Sequence, residues 1–349
     1  MTSRVALVVV IAGAILGTVS AQQAKPTPQP VLNNRIELTR VDVVVSDAQG
    51  QPISGLKKTD FVLIDRNTQQ VIDAFEEISH PPVTARVVPG APSTRLVVIG
   101  LDDLHVQGKS QAMKDMARRV VEQIGSSASL ALVTSSGTFG VAPTEDRSLM
   151  LRELDRFVDQ FEPEARAGRP GPVEEFYQTH DFYDPPARKL SSRDIGSFRS
   201  NLQSFKTIED VARKIGTDDS RRKAMVWISG GIPTPGVEKC RSNLKDQESN
   251  HACMAAASVM DKLRRSNVVA YAVNTGDFSS PFLKEMTEGS GGFTIDMKSF
   301  DRDLDTLIND LDHYYVLGFH PTDRKSRGYR DLEVRVNVPG ATVRTRGRQ

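Results

Sequence analysis

The sequence predicts an α/β fold: a mostly parallel sheet with helices on both faces, joined to a β-sandwich-like module formed by N- and C-terminal strands. Three observations predict it. Continuous apolar runs at 96–101, 130–133, 224–228 and 268–273 have the character of strands buried on both faces. Between them lie stretches whose apolar residues recur three or four apart, as on one face of a helix. Period-two alternation, the mark of half-buried strands, is confined to the two ends of the chain.

Taken in order, the chain opens with Arg4, an apolar run over 5–16 and the small residues Val19-Ser20-Ala21. This reads as a signal peptide over 1–21, cleaved before Gln22. An uncleaved anchor is the alternative, but the run is short for a bilayer span. No later stretch is apolar enough to cross a membrane, so the mature chain is expected in the periplasm, the cell envelope or the extracellular space. Residues 22–34 are rich in Pro and Gln and read as a disordered lead. Residues 35–79 carry N-terminal strands: 35–38, 41–45, 61–64 and 71–75, with turns at Asp47-Ala48-Gln49-Gly50 and Arg66-Asn67. Residues 80–94 read as a linker.

The α/β domain is expected over 95–312. Its helices are marked by Met113, Met116, Ala117, Val120, Val121 and Ile124, by 149–161, by Ile208, Val211, Ala212 and Ile215, and by Phe300, Leu304, Leu307, Ile308 and Leu311. Residues 293–295 offer a short fifth strand, and Gly289-Ser290-Gly291-Gly292 a helix stop. Polar insertions near 162–199 and 232–250 exceed ordinary connections. The charged run at 218–223 reads as a solvated loop, and Trp227 as core. Alternation returns at 314–319, 332–338 and 341–346, so residues 313–349 complete the β module.

Composition excludes some functions. Among 349 residues, Lys and Arg number 45 against 44 Asp and Glu, so no net field draws nucleic acid. The two cysteines, Cys240 and Cys253, are candidates for a disulfide in an exported chain, worth about 3 kcal/mol if the loop closes; two thiols are the alternative. Two such residues do not make a zinc site.

Several segments together carry a family resemblance. They are Val41-Asp42-Val43-Val44-Val45, Gly50-Gln51-Pro52-Ile53-Ser54-Gly55-Leu56 with Asp60-Phe61, Ala224 to Gly231, and Tyr314-Tyr315-Val316-Leu317-Gly318-Phe319-His320-Pro321 with Tyr329-Arg330 and Val334-Arg335-Val336. The chain resembles the von Willebrand factor A-related proteins abundant in Acidobacteria, over nearly all of its mature length. The resemblance implies a Rossmann-like von Willebrand factor A domain, used mostly for adhesion and protein binding. It also implies a metal-ion-dependent adhesion site, Asp-x-Ser-x-Ser after the first strand with Thr and Asp from later loops, because a hard divalent cation takes oxygen ligands. This sequence departs from that pattern. Counting from Asp102 puts Leu104 and Val106 at the serine positions; counting from Asp103 puts His105 and Gln107 there. The later-loop Asp is replaced by Ser229-Gly230-Gly231, and Thr144 matches the second loop only loosely.

Ligands of open α/β sheets gather beyond the carboxyl ends of the strands. Four loops should meet there, beginning near Asp102, Ser135, Ser229 and Asn274. Asp102, Asp103, His105, Ser135 and Ser229 are therefore the candidate binding residues. Asp102, Asp103 and His105 could hold a transition metal, or could cap a helix and bond loop amides. Ser229 lacks the G-x-S-x-G context of a nucleophile elbow, and neither phosphate-binding glycine motif occurs. No catalytic residue and no cofactor is expected. The leading expectation is a non-enzymatic adhesion-type module with a degenerate metal site, binding a protein or glycan. Metal-dependent adhesion and an enzyme of unknown class are the alternatives.

Overall fold

The computed structural model describes residues 38–80, 93–106, 108–125, 128–137, 139–157, 192–217, 221–234, 247–322 and 332–345, with backbone alone over 192–198 and 247–250. The expected signal peptide and lead, the strand at 35–37, most of the linker, most of the first insertion and Cys240 lie outside these residues. All that is described belongs to one unit, Glu37–Gln349.

The alternating segments at the chain ends fold into two facing antiparallel sheets. The N-terminal strands are β1 (Thr39–Ser46), β2 (Phe61–Asp65), β3 (Thr68–Gln70) and β4 (Ala74–Ser79). The C-terminal ones are β11 (His313–Phe319), β12 (Leu332–Val336) and β13 (Thr342–Thr345). They assemble in the orders β13-β1-β11-β4 and β12-β2-β3, so each sheet mixes both ends of the chain. Inward residues of both sheets, among them Val41, Val43, Leu63, Leu317, Phe319 and Val334, make one core. Burying each such side chain contributes about 1.5–3 kcal/mol. Tyr315 adds a polar tie: its hydroxyl donates to the Ile53 carbonyl at 2.8 Å and accepts from the Leu56 amide at 3.2 Å.

One strand departs from expectation. Pairing resumes at Thr68, directly after the turn, and the 71–75 strand is replaced by β3 and by β4 from Ala74. Arg66 and Asn67 both take positive φ, 48° and 64°, the geometry of a tight two-residue hairpin turn. That turn fixes the register Asp65↔Thr68 and Leu63↔Gln70. It brings polar Gln70 inward and leaves apolar Val71 77% exposed, against the apolar pattern.

In sequence, the strands of a six-stranded sheet lie between the N- and C-terminal strands of the sandwich. Its strands are β5 (Arg95–Leu101), β6 (Ala128–Thr134), β7 (Gly140–Thr144), β8 (Arg222–Ser229), β9 (Val268–Asn274) and β10 (Thr294–Asp296), in the order β10-β9-β8-β5-β6-β7. All neighbours are parallel except β7, an antiparallel edge strand that the sequence did not announce. Sheet growth reverses direction beside β5, with β6 on one side and β8 on the other, so the switch point lies between β5 and β8.

The helices are α1 (Ser110–Gln123), α2 (Arg147–Arg156), α3 (Ser192–Ile215), α4 (Gln247–Arg265), α5 (Pro281–Ser290) and α6 (Phe300–Asp312). Buried side chains of α1, α2 and α6 cover one face against Val97, Ile99, Val226 and Ile228. Those of α3, α4 and α5 cover the other against Leu96, Val98, Met225 and Trp227. The period-two alternation of a strand thus persists inside a continuous apolar run, sending successive residues to two separate cores. Two expected insertions shrink accordingly. Helix α3 begins at Ser192, inside 162–199, and α4 at Gln247, inside 232–250. Ala256, Val259, Met260 and Leu263 supply the buried stripe of α4, which sequence reading passed over. Helix α5 has the expected stop, with Gly291 at φ 93°.

The charged run at 218–223 is also corrected. Arg222 and Lys223 are not solvated; they open β8 and are buried. Arg222 lies over the Tyr314 ring, 4.0 Å from its centroid, and Arg95 pairs with Asp312. Arg344 of β13 pairs with Asp310 of α6, whose carboxylate also accepts from the Tyr271 hydroxyl at 3.3 Å. These contacts seat the sandwich on the amino end of the parallel sheet, and α6 runs without a break into β11.

Gly100 stands in register with Trp227, and a Cβ there would lie 2.1 Å from the indole ring. Gly100→Ala is expected to cost about 1–3 kcal/mol or more through overpacking, read as a lower urea midpoint. Adding Trp227→Phe should recover part of that loss; additive losses would refute the steric account.

Candidate functional site

The loops leaving β5, β6 and β8 meet at the switch point, and five expected site residues come together there. The arrangement starts in the backbone. Asp102 follows β5, and its amide donates to the Ile228 carbonyl of β8 at 2.9 Å. The Ser135 amide, one residue past β6, donates to the Leu101 carbonyl at 2.9 Å, and the Gly230 amide to the His105 carbonyl at 2.8 Å. Three strand ends are thereby stitched before any side chain is considered.

Side chains fill the remaining space. Ser229 Oγ donates to Asp102 Oδ2 at 2.6 Å, across the crevice between β8 and β5, and accepts from the Gly231 amide at 3.0 Å. His105 Nδ1 stands 2.9 and 3.0 Å from the two Asp102 oxygens. Asp103 turns the other way: Oδ1 accepts from Ser135 Oγ and the Ser136 amide, both at 2.8 Å, and Oδ2 from Ser136 Oγ at 2.5 Å. Asp102, Asp103, Ser135 and Ser229 have no exposed surface, and His105 keeps 8%.

Helix α3 closes the cluster from above, through residues the sequence reading did not select. Ser204 Oγ donates to Asp102 Oδ1 at 2.9 Å. Asn201 Oδ1 stands 2.8 Å from His105 Nε2. Thr207 Oγ1 donates to the Ser135 carbonyl at 2.8 Å, joined by Gln203 Nε2 at 3.3 Å. A signal was present. Asn201 and Ser204 precede Ile208 and Ala212 at three- and four-residue steps, so they share the inward stripe of the helix. Polar residues on a core-facing stripe require buried partners.

The hydrogen-bond pattern fixes the charge of His105. Asn201 Nδ2 donates to Thr234 Oγ1 at 3.2 Å and to the Pro233 carbonyl at 3.4 Å. A carbonyl only accepts, so the amide nitrogen faces Pro233 and its oxygen must face His105. Both ring nitrogens of His105 therefore face oxygens that can accept, an arrangement that favours the doubly protonated ring. Burial alone pulls His105 down, but the Asp102 charge and the bonds to Asp102 and Asn201 outweigh it and raise its pKa. Burial pushes Asp102 up, yet His105 and the hydroxyl donors hold it below the ordinary carboxylate value. Asp103 differs: burial dominates over its Ser136 and Ser135 bonds and raises it. The site is an imidazolium–carboxylate pair sealed among hydroxyls.

Other expected positions fall elsewhere. Asn274 organises its own loop, donating to the Phe278 carbonyl at 2.8 Å and accepting from the Gly276 amide at 3.1 Å. Thr144 pairs with Leu130 near the amino end of β6, so it cannot serve the strand-end site. Cys253 is buried on α4 and disulfide-bonded. The solvent-facing rim above the network holds the ion pair Lys109–Asp277 at 2.5 Å and Phe278, 38% exposed.

The donor set does not fit the divalent cation that the family resemblance implies. Such a cation needs several oxygens turning lone pairs to one point. Here both Asp102 oxygens already accept two hydrogen bonds each, and a cationic ring occupies their open side. Among the described residues, no group of three or more His, Cys, Asp or Glu is placed to hold a metal. Nor is there a nucleophile relay: the carboxylate lies between Ser229 and His105, where a serine nucleophile needs the imidazole.

No family model matches the chain, and no curated protein does. Among solved structures, it is similar to an aerotolerance-related membrane protein from Bacteroides fragilis at 12% identity, covering 62% of this chain and 98% of that one, with a TM-score of 0.37. It is also similar to the manganese-loaded TRAP protein of Plasmodium vivax (8% identity, 76% and 97% covered, TM-score 0.34). A third is the vWF domain of a type V pili tip protein from Porphyromonas gingivalis (11% identity, 62% and 95% covered, TM-score 0.31). No residue role is carried across from them. Among the described residues, no helix is long and apolar enough to cross a membrane.

Removing the imidazolium strands a buried carboxylate, so His105→Gln is expected to cost about 3–5 kcal/mol. The double variant with Asp102→Asn should lose less than the sum of the singles. The raised His105 pKa gives stability that is complete below pH 6.5, its ordinary value, and lost as pH rises through the folded value. The lowered Asp102 pKa gives stability present above 3.8 and lost as pH falls through its folded value. Asp103 opposes this, subtracting stability as pH climbs from 3.8 through its raised value. Proton NMR should find the His105 ring doubly protonated at pH 6.5; a neutral ring there would refute the assignment.

Proposed function

We propose that this chain is an exported, non-enzymatic interaction module of the von Willebrand factor A type. It binds a protein or glycan through the outer surface of its strand-end loops, and no divalent cation mediates the contact. The observation that carries the reading is the closed His105–Asp102 network at the switch point. In this architecture a ligand-binding metal or a catalytic group would sit there, and a self-satisfied ion pair sits there instead. The resident positive charge does internally what a bound cation would do: it holds the strand-end loops in one arrangement. A preorganised rim loses little entropy when a partner docks. Phe278 and the Lys109–Asp277 pair give that rim an apolar contact beside polar ones, the mixture typical of recognition surfaces. Buried Asp102, Asp103, His105, Ser135 and Ser229 support the rim from beneath. Export rests on the residue pattern at 1–21.

Calorimetric titration of the mature chain with Mg²⁺, Mn²⁺ and Zn²⁺ is expected to give no saturable heat. A saturable heat abolished by Asp102→Ala would overturn the metal-free reading. A photo-crosslinking residue placed at 278 should capture envelope protein or glycan equally with and without a chelator, while one at 71 on the sandwich should not. Equal capture from both positions would remove the strand-end rim as the binding surface. Protein recovered from the native envelope should begin at Gln22.

A further inference from the structure

The opposite, amino end of the parallel sheet holds a second polar cluster that the proposed function does not use. Arg95 and Arg222 open the neighbouring strands β5 and β8 and stand in register. Register partners in a parallel pair point to the same face, so two guanidinium stems emerge side by side. Both are almost fully buried, at 1% and 3% exposure. Like charges placed this way destabilise a sheet unless each is compensated.

The compensation is uneven. Arg95 pairs with Asp312, Arg344 with Asp310, and Arg40 Nε with Asp42 Oδ1 at 2.9 Å. Among the described residues Arg222 has no carboxylate of its own: Asp42 Oδ2 is 3.8 Å from its Nη1, beyond hydrogen-bond reach. Arg222 shares the Tyr271 hydroxyl and stacks over Tyr314, but its Nε and Nη1 find no acceptor among the described residues. His80 enters the same place from β4. Its amide donates to the Asp312 carbonyl at 2.8 Å, its ring centroid lies 6.4 Å from that of Tyr314, and its Nε2 is buried without a partner. Arg95, Arg222 and His313 all repel positive charge on this ring. Buried donors left unbonded cost free energy comparable to the bond they lack, so an acceptor belongs between them.

We propose that Arg222 and His80 bind a compact monovalent anion of the halide class at the seam between the sandwich and the parallel sheet. One unmatched guanidinium calls for one negative charge, which argues against sulfate and phosphate. The near-complete burial of Arg222 beside the Tyr314 ring argues for a monatomic ion over a carboxylate. The anion would accept from Arg222 Nε or Nη1 and from a proton on His80 Nε2, and would join the two parts of the fold by bridging β8 to β4.

The test is thermal unfolding of the full mature chain with sodium chloride exchanged for sodium gluconate at constant ionic strength. Chloride is expected to raise the unfolding temperature saturably, by about 2–4 °C at tenfold over its dissociation constant. Bromide should act alike, and a bromide-grown crystal should show an anomalous peak beside Arg222 and His80. Arg222→Met should abolish the chloride-specific rise, and His80→Phe, which keeps the ring volume, should reduce it. Should Arg222→Met fail to fold, His80→Phe and the bromide peak decide. Equal unfolding temperatures in chloride and gluconate, a rise retained in full by His80→Phe, or bromide bound only elsewhere would each overturn the proposal.

Discussion

A sheet covered by helices on both faces leaves polar side chains only two places to go, the ends of its strands. This constraint organises the whole molecule. Along β5, β8 and β9 every residue is buried, and apolar side chains alternate between two separate cores. Charge appears where those strands begin and where they stop. At the beginning stand Arg95, Arg222 and Lys223; at the end stand Asp102, Asp103 and Ser229. Neither group is solvated, because other elements cap both ends: the sandwich at the amino end and α3 at the carboxyl end. Each capping element must therefore bring polar partners or leave charges stranded in a low-dielectric interior.

The two caps meet that demand differently. At the carboxyl end every donor around Asp102 finds an acceptor. Ser204, Ser229 and His105 all serve Asp102, and Asn201 takes the second proton of the ring. Such a network tolerates little movement, since losing any member exposes another to an unmet bond. At the amino end the pairing is looser. Carboxylates answer Arg40, Arg95 and Arg344, and an aromatic face stands in for one at Arg222. Cation–π contact supplies attraction without filling hydrogen-bond positions.

The fold was legible in the sequence because it is written in periodicity. Runs such as 96–101 and 224–228, and stripes such as Met113 to Ile124, follow directly from which faces are covered. What escaped shares one cause: residues whose placement depends on a distant partner. Arg222 looked solvated because its neighbours in sequence are charged, and only Asp42 and Tyr314, far away along the chain, make it core. Strand β3 escaped because turn geometry at Arg66-Asn67 overrode the apolar pattern. Edge strand β7 has few buried residues to mark it. At the site, the strand-end positions of Asp102, Asp103, His105, Ser135 and Ser229 followed from topology. Their closure by Asn201 and Ser204 did not, because a polar residue on a helix announces its face only once the apolar stripe beside it is assigned.

Closure also bears on the serine positions that the family resemblance implies. Counted from Asp102, those positions hold Leu104 and Val106, both buried and neither carrying a hydroxyl. A bare Asp102 would then face an apolar loop and would have to take up a proton or acquire a counter-charge. His105, one turn of chain further on, supplies that counter-charge from within the same loop, and the Asn201 bond favours its protonated form. A charge held by a covalent side chain cannot be chelated away or diluted. Of the common solution variables, pH is the one that reaches this pair, through the lowered carboxyl and the raised imidazole.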